Sequence, residues 1–489
     1  MLEGIEEACN KGFEQERIDG LIHQMELSTR NQSAQFGLHL TFSLHAAMLH
    51  GAEPNESLQI VKFIDKLKAE LASNPNFLVD KTREFLLENK ARVELRMLAD
   101  KDYETKEKAA ETELLRSHLG KLSRQEKMEC LDIEMDLEQE QAKEVDSSCL
   151  PSVHVSDIPI NKDYSIPTQT DNRIHFQQTQ GSGVTHIRAL VELEQLNQEE
   201  IQLLPLYESI LTKIGRGGFD YKQIGVEEDL VSGGYRVSSS ILTDMNVAGS
   251  ARPAILMSTY GLDSKLDNII NLFDSLLRPD GPDFNPDRIR TVANEVFTSV
   301  NGGIVGSGHT YSMAHAHSYV NDYGKLNEQL NGLSAIKSLK DIITADNWGE
   351  TAQKLQVLHE KVVSSYTRYL IHSDNDVSSK LQNLTNFGAG NSQPGYHPLV
   401  EVPEKKVTGA AWDLGFPVSF VARAIPTCAS LDPDSAPLRV LGALMGSKYL
   451  LREVRESGGA YGAGSQQADG AFRTDSKMFF SQIKVQFLN

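Results

Sequence analysis

Arg455-Glu456-Ser457-Gly458-Gly459-Ala460-Tyr461-Gly462 closes a long helical pattern near the C-terminus and leads into a glycine-rich, strand-like segment. The helix is expected to start at Ser435-Ala436-Pro437, because proline is tolerated in the first turn of a helix. Apolar side chains then recur near helical spacing, at Leu438, Leu441, Leu444, Met445, Tyr449 and Val454. Glycine adopts positive φ without steric cost, so Gly458 and Gly459 predict that the helix ends there and the chain turns sharply.

This turn places an arginine and a tyrosine close together. Arg455 lies in the last helical turn and Tyr461 follows the two glycines, so both side chains can point into one concavity. A guanidinium and a hydroxyl there could hold a peptide carbonyl. The alternative is an ordinary helix C-cap with a solvated arginine and a packed tyrosine. Spacing alone leaves both interpretations open.

Composition sets the outer limits. With 489 residues and 40% hydrophobic content, the chain can bury several cores, which predicts about three domains. The formal charge of −19 argues against a nucleic-acid partner and favours solubility or attraction to basic peptides. Four cysteines without paired spacing indicate a reducing compartment. No apolar run reaches transmembrane length, so no membrane partner is expected, and the acidic N-terminus does not resemble a targeting peptide.

The first third of the chain is expected to be mainly helical. Helical patterns at Ser57–Leu71 and Leu78–Leu87 precede a predicted strand, Ala91–Leu98. Residues 103–146 are highly charged and predict a helical hairpin, broken at Gly120 and restarted by a capping box at Ser123-Arg124-Gln125-Glu126. A linker in extended conformation is predicted to follow, from Cys149 to Pro167.

Strands and helices then alternate, which predicts a mixed α/β or α+β fold. The predicted strands are His175–Gln180, His186–Glu194, Tyr235–Ile241, Ala254–Thr259, a segment near Ala410 and Val418–Ala424. The predicted helices are Glu199–Lys213, Asp263–Leu277, Asn285–Val300 and further helices as far as about Tyr366. Gly388–Pro403 is predicted to be a second linker.

Candidate metal and phosphate sites are weak in the sequence. No His-x-x-Glu-His motif occurs. In His315-Ala316-His317 the histidines would face different sides of a helix, and His359 is expected on a solvated helix face. Gly303–His309 is rich in glycine, but a helix precedes it and no Lys-Ser/Thr follows, so it does not predict a phosphate loop.

Several short motifs, in order and spacing, resemble the C-terminal half of the presequence protease branch of the pitrilysin-type zinc metallopeptidases. Besides Leu441–Gly464, they are Gly12–Ile18, His23–Glu26, Gln32-Ser33 with Phe36–Leu38, Asn74–Leu78, Asp100–Tyr103, Ser148–Pro151 with Val155–Ile158, and Ser307–Tyr311. Each motif is unspecific alone, but their common register along residues 5–470 is specific.

The resemblance implies repeated pitrilysin-like sandwich domains, each a mixed sheet covered by helices, joined by a helical hairpin linker. Residues 1–98 would be the tail of a second domain and residues 99–150 the hairpin linker. Residues 151–386 would be a third, non-catalytic repeat. Residues 387–489 would be a partial fourth domain that carries the arginine and tyrosine.

The resemblance also implies a function. In this family two bowl-like halves close around a peptide, and Zn²⁺ is bound by His-x-x-Glu-His in the N-terminal half. At the apparently equivalent helix of this chain a lone Glu208 stands without histidines, so the chain is expected to hold no zinc ligands and to be inactive alone. Tyr461 would support the oxyanion and Arg455 would bind substrate, while Gly458 and Gly459 would set the turn.

The implied partners are basic, unstructured peptides, such as cleaved targeting peptides, and the missing N-terminal half. The implied compartment is the mitochondrial matrix. The chain departs from the family pattern after Gly470, and it begins inside an expected helix, which favours an incomplete gene model or fragment. The alternative is a non-catalytic substrate-binding or scaffold subunit of the same superfamily.

Overall fold

The computed structural model describes residues 2–31, 35–142, 148–152, 154–158, 168–179, 183–193, 196–390, 409–415 and 418–479. The chain divides into two compact units, Met1–Glu7 with Asp80–Ser165, and Ala8–Val79 with Ile166–Asn489. The expected division into domains 1–98, 99–150, 151–386 and 387–489 stays a prediction. The expected linker over 388–403 falls mostly outside the described residues.

The N-terminal region is helical, as predicted. Its elements are α1 (Leu2–Lys11), α2 (Gln15–Arg30), α3 (Phe36–Leu49), α4 (Pro54–Ser57), α5 (Ile60–Ser73), α6 (Phe77–Thr82) and a π-helical turn, Arg83–Leu87. Leu27 of α2 and Ile64 of α5 are each only 1% exposed, because these two helices pack together. The apolar helix α3, in contrast, has no buried residue.

The predicted strand Ala91–Leu98 is wrong. Residues 91–98 form neither helix nor strand, although Val93, Leu95 and Met97 alternate with polar residues as they would in a strand. These three side chains are 96%, 83% and 88% exposed. A strand needs a neighbour to satisfy its backbone hydrogen bonds, and no described strand pairs with this segment.

Two charged helices follow, α7 (Tyr103–Lys121) and α8 (Arg124–Ala142). The predicted capping box between them is confirmed. The backbone N–H of Ser123 donates to Glu126 Oε2 at 2.7 Å, and the backbone N–H of Glu126 donates to Ser123 Oγ at 3.2 Å. These hydrogen bonds lower the pKa of the Glu126 carboxyl.

A six-stranded mixed sheet organises the middle of the chain. Its strands are β1 (Thr168–Asp171), β2 (Ile174–Gln178), β3 (Val184–Glu192), β4 (Tyr235–Leu242), β5 (Arg252–Leu262) and β6 (Tyr366–Ser373). They lie in the order β1-β2-β6-β3-β5-β4, with β2 and β6 parallel and all other neighbours antiparallel. Central β6 has no counterpart among the predicted strands.

Helices cover one face of this sheet. They are α9 (Gln198–Leu211), α10 (Tyr221–Val231), α11 (Leu266–Leu277, after a 3₁₀ turn Asp263–Lys265), α12 (Pro286–His317), α13 (Asp322–Asn331), α14 (Leu333–Ala345), α15 (Trp348–Ser364) and α16 (Ser378–Leu381). Side chains alternate between the two faces of a strand, so Ile187, Ala189 and Val191 of β3 enter the hydrophobic core at 0% exposure. The expected class, a mixed sheet covered by helices, is confirmed.

Helix α12 differs from its prediction at the C-terminal end. Asn285 caps it by accepting from the backbone N–H groups of Asp287 and Arg288, as the sequence predicts. The helix does not stop at Val300, however, but continues through Gly302 and Gly303 to His317, with non-helical φ and ψ at Ser307. A Cβ on Gly308 would lie 2.3 Å from the ring of Phe420, so the glycines after the kink admit a neighbouring strand.

That neighbour belongs to a second, three-stranded antiparallel sheet in the order β7-β9-β8. Its strands are β7 (Val418–Pro426), β8 (Gly462–Ala468) and β9 (Ala471–Phe479), and α17 (Ser435–Leu444) continues as a π-helix, Met445–Glu456. Residues 409–415 contain no strand, so the strand predicted near Ala410 is not present there. The predicted strand Val418–Ala424 is confirmed.

Candidate functional site

The predicted site residues lie where the π-helix Met445–Glu456 meets β8. Arg455 occupies its last turn, and Tyr461 immediately precedes Gly462, the first residue of β8. The sequence predicts an ordinary amphipathic helix here, but its second half has the wider π-helical winding. Apolar spacing cannot distinguish the two windings over so few turns.

Backbone hydrogen bonds define the glycine closure, the segment Ser457–Ala460. The N–H of Gly459 donates to Arg455 O at 3.0 Å, and the N–H of Ala460 donates to Val454 O at 3.0 Å. This nested pair resembles a Schellman motif widened by one residue, as a π-helix requires. The predicted sharp turn after the helix is therefore confirmed.

Both glycines of the closure are structurally necessary. Gly459 has φ of +71°, in the left-handed region that favours glycine. Gly458 has a different constraint, because a Cβ there would lie 2.6 Å from Val454 O. The glycines thus fix the path of the backbone between Arg455 and Tyr461.

The helix is held against β8 by close backbone contact. Ser465 Oγ donates to Gly442 O at 2.7 Å, and a Cβ on Gly442 would lie 3.2 Å from Gln466 Cα. The opposite side of the helix is open, and Val440 and Leu444 are 59% and 52% exposed. Arg455 is exposed, and Tyr461 is 68% exposed. The described residues therefore form the backbone frame of the candidate site without burying its two side chains.

The histidines near the end of α12 do face different directions, as predicted. Trp412 Nε1–H donates to His315 Nε2 at 3.1 Å, so Nε2 is the acceptor and Nδ1–H donates to Glu328 Oε1, also at 3.1 Å. Glu328 is 3% exposed. This chain of hydrogen bonds orients a neutral imidazole and holds Trp412 against α12.

His317 is fully buried on the other side of the helix. Arg473 of β9 approaches His317 Nδ1 at 3.4 Å. Burial, followed by the charge of Arg473, lowers the pKa of His317 to about 4. Because the imidazole is then neutral at physiological pH, it packs between α12 and β9 without a counter-ion.

His359 contradicts its predicted place on a solvated helix face. It is 0% exposed, with Nδ1 at 2.9 Å from Tyr207 Oη and Nε2 at 2.8 Å from Arg278 O. These partners are distant in sequence, so local spacing could not reveal them. Burial lowers the pKa of His359 and raises that of Tyr207, which suits a structural hydrogen bond between two neutral groups.

The donor set of this chain does not fit a zinc ion. Among the described ranges, no group of three His, Cys, Asp or Glu side chains is arranged to hold a metal. Glu208, at the helix expected to correspond to the zinc-binding one, accepts a hydrogen bond from the backbone N–H of Ser239. Within the same ranges, no helix is both long and apolar enough to cross a bilayer.

Comparisons with known proteins agree with the resemblance. Residues 97–342 match the family model for the domain associated with subfamily C of the M16 peptidases, and residues 370–487 match "Peptidase M16 inactive domain". The chain is 29% identical to the mitochondrial presequence protease of Yarrowia lipolytica over 484 residues, covering 96% of this chain and 49% of the relative. The mouse presequence protease is 28% identical over 506 residues, covering 94% and 48%.

The chain therefore spans about half the length of these curated relatives. Solved structures are more distant. A conserved protein from Enterococcus faecalis superposes with a TM-score of 0.46 at 14% identity, over 62% of this chain and 72% of its own. The periplasmic protease PqqL from Escherichia coli gives 0.42 at 13% identity, over 98% and 51%. The resemblance to the C-terminal portion of a presequence protease is confirmed, and the chain belongs to subfamily C of the M16 peptidase family.

Proposed function

We propose that this chain is the substrate-gripping, non-catalytic half of a zinc metalloendopeptidase similar to presequence protease. A second polypeptide segment supplies His-x-x-Glu-His and the metal-activated water. Arg455 binds the peptide through charge-assisted hydrogen bonds, and Tyr461 donates its O–H to the oxyanion of the tetrahedral intermediate. The substrates are basic, unstructured peptides in the mitochondrial matrix.

The glycine closure is the observation that carries this proposal. It fixes a guanidinium-bearing helix end and a phenol-bearing strand start only six residues apart, while both side chains remain exposed. A self-contained binding site would enclose such groups. Exposure is what a site needs if its opposite wall belongs to another part of the enzyme.

Exposed apolar surface supports such a covering partner. In α3, Phe42 and Leu49 are 64% and 71% exposed, although apolar side chains dominate this helix. The alternating segment 91–98 is also uncovered. Large exposed apolar patches are typical of interaction surfaces, which is consistent with a chain that spans half of its relatives. We further propose that α7 and α8 form the hinge between the two halves.

Reconstitution tests the proposal. The chain is mixed with a polypeptide that carries the zinc-binding His-x-x-Glu-His half, and hydrolysis of a basic peptide is followed with and without a chelator. Each polypeptide alone should be inactive, and the mixture should show chelator-sensitive turnover. A stable complex without turnover would instead favour a scaffold subunit, and turnover by this chain alone would refute the proposal.

A further inference from the structure

The face of the six-stranded sheet away from the helices is polar and basic. Along β3, the residues that alternate with the core residues are His186, Arg188 and Leu190. None of the three is buried, and Arg188 is exposed. The neighbouring strand β5 presents Ser258 and Tyr260 on the same face, both partly exposed.

Two arginines lie in one cross-strand row on this face. Arg188 of β3 is in register with Ser258 of β5, and Ser258 is in register with Arg236 of β4. Adjacent strands are about 4.8 Å apart, so the two arginine Cα atoms are separated by about 10 Å. Both long side chains can therefore reach a common point above the hydroxyl of Ser258. We refer to these three residues as the Arg188–Ser258–Arg236 row.

The row has no counter-charge in the part of the chain that the structure describes. No hydrogen bond or ion pair joins Arg188, Ser258 or Arg236 to another described side chain, and both arginines are exposed. In contrast, Arg252 and Arg368 on the same sheet converge on the buried Glu192, each with an N–O distance of 2.5 Å. Two sheet guanidiniums can thus share one carboxylate, and the row has that capacity unused.

Neighbouring groups reinforce the basic character of this face. His186 is in register with His372 of β6 and stacks on Tyr260, with ring centroids 5.3 Å apart and planes inclined by 13°. Burial is the main cause that lowers the pKa of both histidines, and the charge of Arg188 adds to it. These neutral rings offer a flat surface beside the two guanidiniums, against which a peptide can pack.

We propose that the Arg188–Ser258–Arg236 row binds a carboxylate of a peptide that lies on this sheet face. The two guanidiniums match the two oxygens of a carboxylate, and the serine hydroxyl adds a third donor. The proposal rests on the proposed function for the peptide class. A basic peptide released by cleavage is repelled by arginine along its length, so its α-carboxylate is the group best suited to this row. An acidic side chain offers the same chemistry.

Binding to the isolated chain tests the row. Four fluorescent versions of one basic peptide are compared by anisotropy, with a free or amidated C-terminus and with glutamate or glutamine at one internal position. Arg188→Gln and Arg236→Gln should each weaken binding of the carboxylate-bearing peptide by about tenfold or more, because a charge-assisted contact is lost. Amidation should have the same effect if the α-carboxylate binds, and Glu→Gln if a side chain binds.

Arg423→Gln is the matched control, because Arg423 is an exposed strand arginine on β7, outside the row. It should leave all four affinities unchanged. The proposal is overturned if the row variants bind the free acid as tightly as the unmodified chain, or weaken the acid and the doubly neutral peptide equally. Since this assay requires no zinc and no turnover, its failure is distinct from a failure of reconstitution.

Discussion

The six-stranded sheet and the three-stranded sheet differ in how much of their own surface they bury. The larger sheet and its helices enclose a continuous core, in which Phe273, Leu355 and Ile371 are all 0% exposed. In the smaller region, Val421 and Ile425 of β7 are 58% and 45% exposed. The larger region can therefore fold by itself, whereas the smaller one, which carries Arg455 and Tyr461, depends on what packs against it.

The largest expected effect comes from truncating the enclosed core. Phe273→Ala should lower the free energy of unfolding by about 3–5 kcal/mol, because it leaves a cavity in a close-packed interior. Ile425→Ala should cost less than about 1 kcal/mol, since that side chain is already half exposed. Urea unfolding followed by circular dichroism measures both. Equal losses would show that the two regions are not as different as their burial indicates.

The next effect concerns the contact between the two regions. Gly308→Ala places a methyl group 2.3 Å from the Phe420 ring, so α12 and β7 must separate. We expect a cost of about 1–3 kcal/mol, seen as faster proteolysis within residues 418–479.

Gly302→Ala is the control, because a Cβ there has no neighbour within 4 Å and alanine is the better helix former. It should be neutral or slightly stabilising. If both alanine variants are cleaved at the rate of the unmodified chain, the Phe420 contact does not hold the smaller sheet in place.

Acid should weaken the same contact at a second point. The folded pKa of His317 is about 4, below its ordinary value of 6.5, so the unfolded chain takes up a proton first as the pH falls. The stabilisation is complete above pH 6.5 and declines toward pH 4, by at most about 3 kcal/mol. Burial raises the pKa of nearby Asp469, which opposes this trend.

Hydrogen exchange of β8 and β9 between pH 7 and pH 5 measures this effect. Exchange, corrected for its intrinsic pH dependence, should accelerate at pH 5 in the unmodified chain and much less in His317→Asn. The same acceleration in both proteins would assign it to other groups.

Local signals in the sequence predicted much of this fold. The Ser123–Glu126 capping box and the Asn285 cap were predicted because each motif lies within a few residues. Period-two alternation likewise revealed β3, β4 and β5. The glycine closure was predictable because Gly458 and Gly459 interrupt a long helical pattern.

The errors arise from partners that are far away in sequence. Residues 91–98 have strand alternation, but pairing requires a second strand. His359 is buried by Tyr207 and Arg278, which are 152 and 81 positions distant. β6 begins directly after α15, so its alternation was not separated from the preceding helix. The Arg188–Ser258–Arg236 row depends on register across three strands, which no single segment encodes.

The smallest structural change probes the central claim, that the exposed phenol beyond the glycine closure serves chemistry supplied by another segment. Tyr461→Phe removes one oxygen from a side chain that is 68% exposed, so stability should not change. Tyr449→Phe is the matched control, since Tyr449 is 60% exposed on the adjacent helix.

The decisive measurement is therefore kcat of the reconstituted protease with each of these two variants. We predict a fall of roughly ten- to a thousandfold for Tyr461→Phe, because the oxyanion loses a hydrogen-bond donor, and no change for Tyr449→Phe. A kcat for Tyr461→Phe equal to that of the unmodified protein would contradict the account.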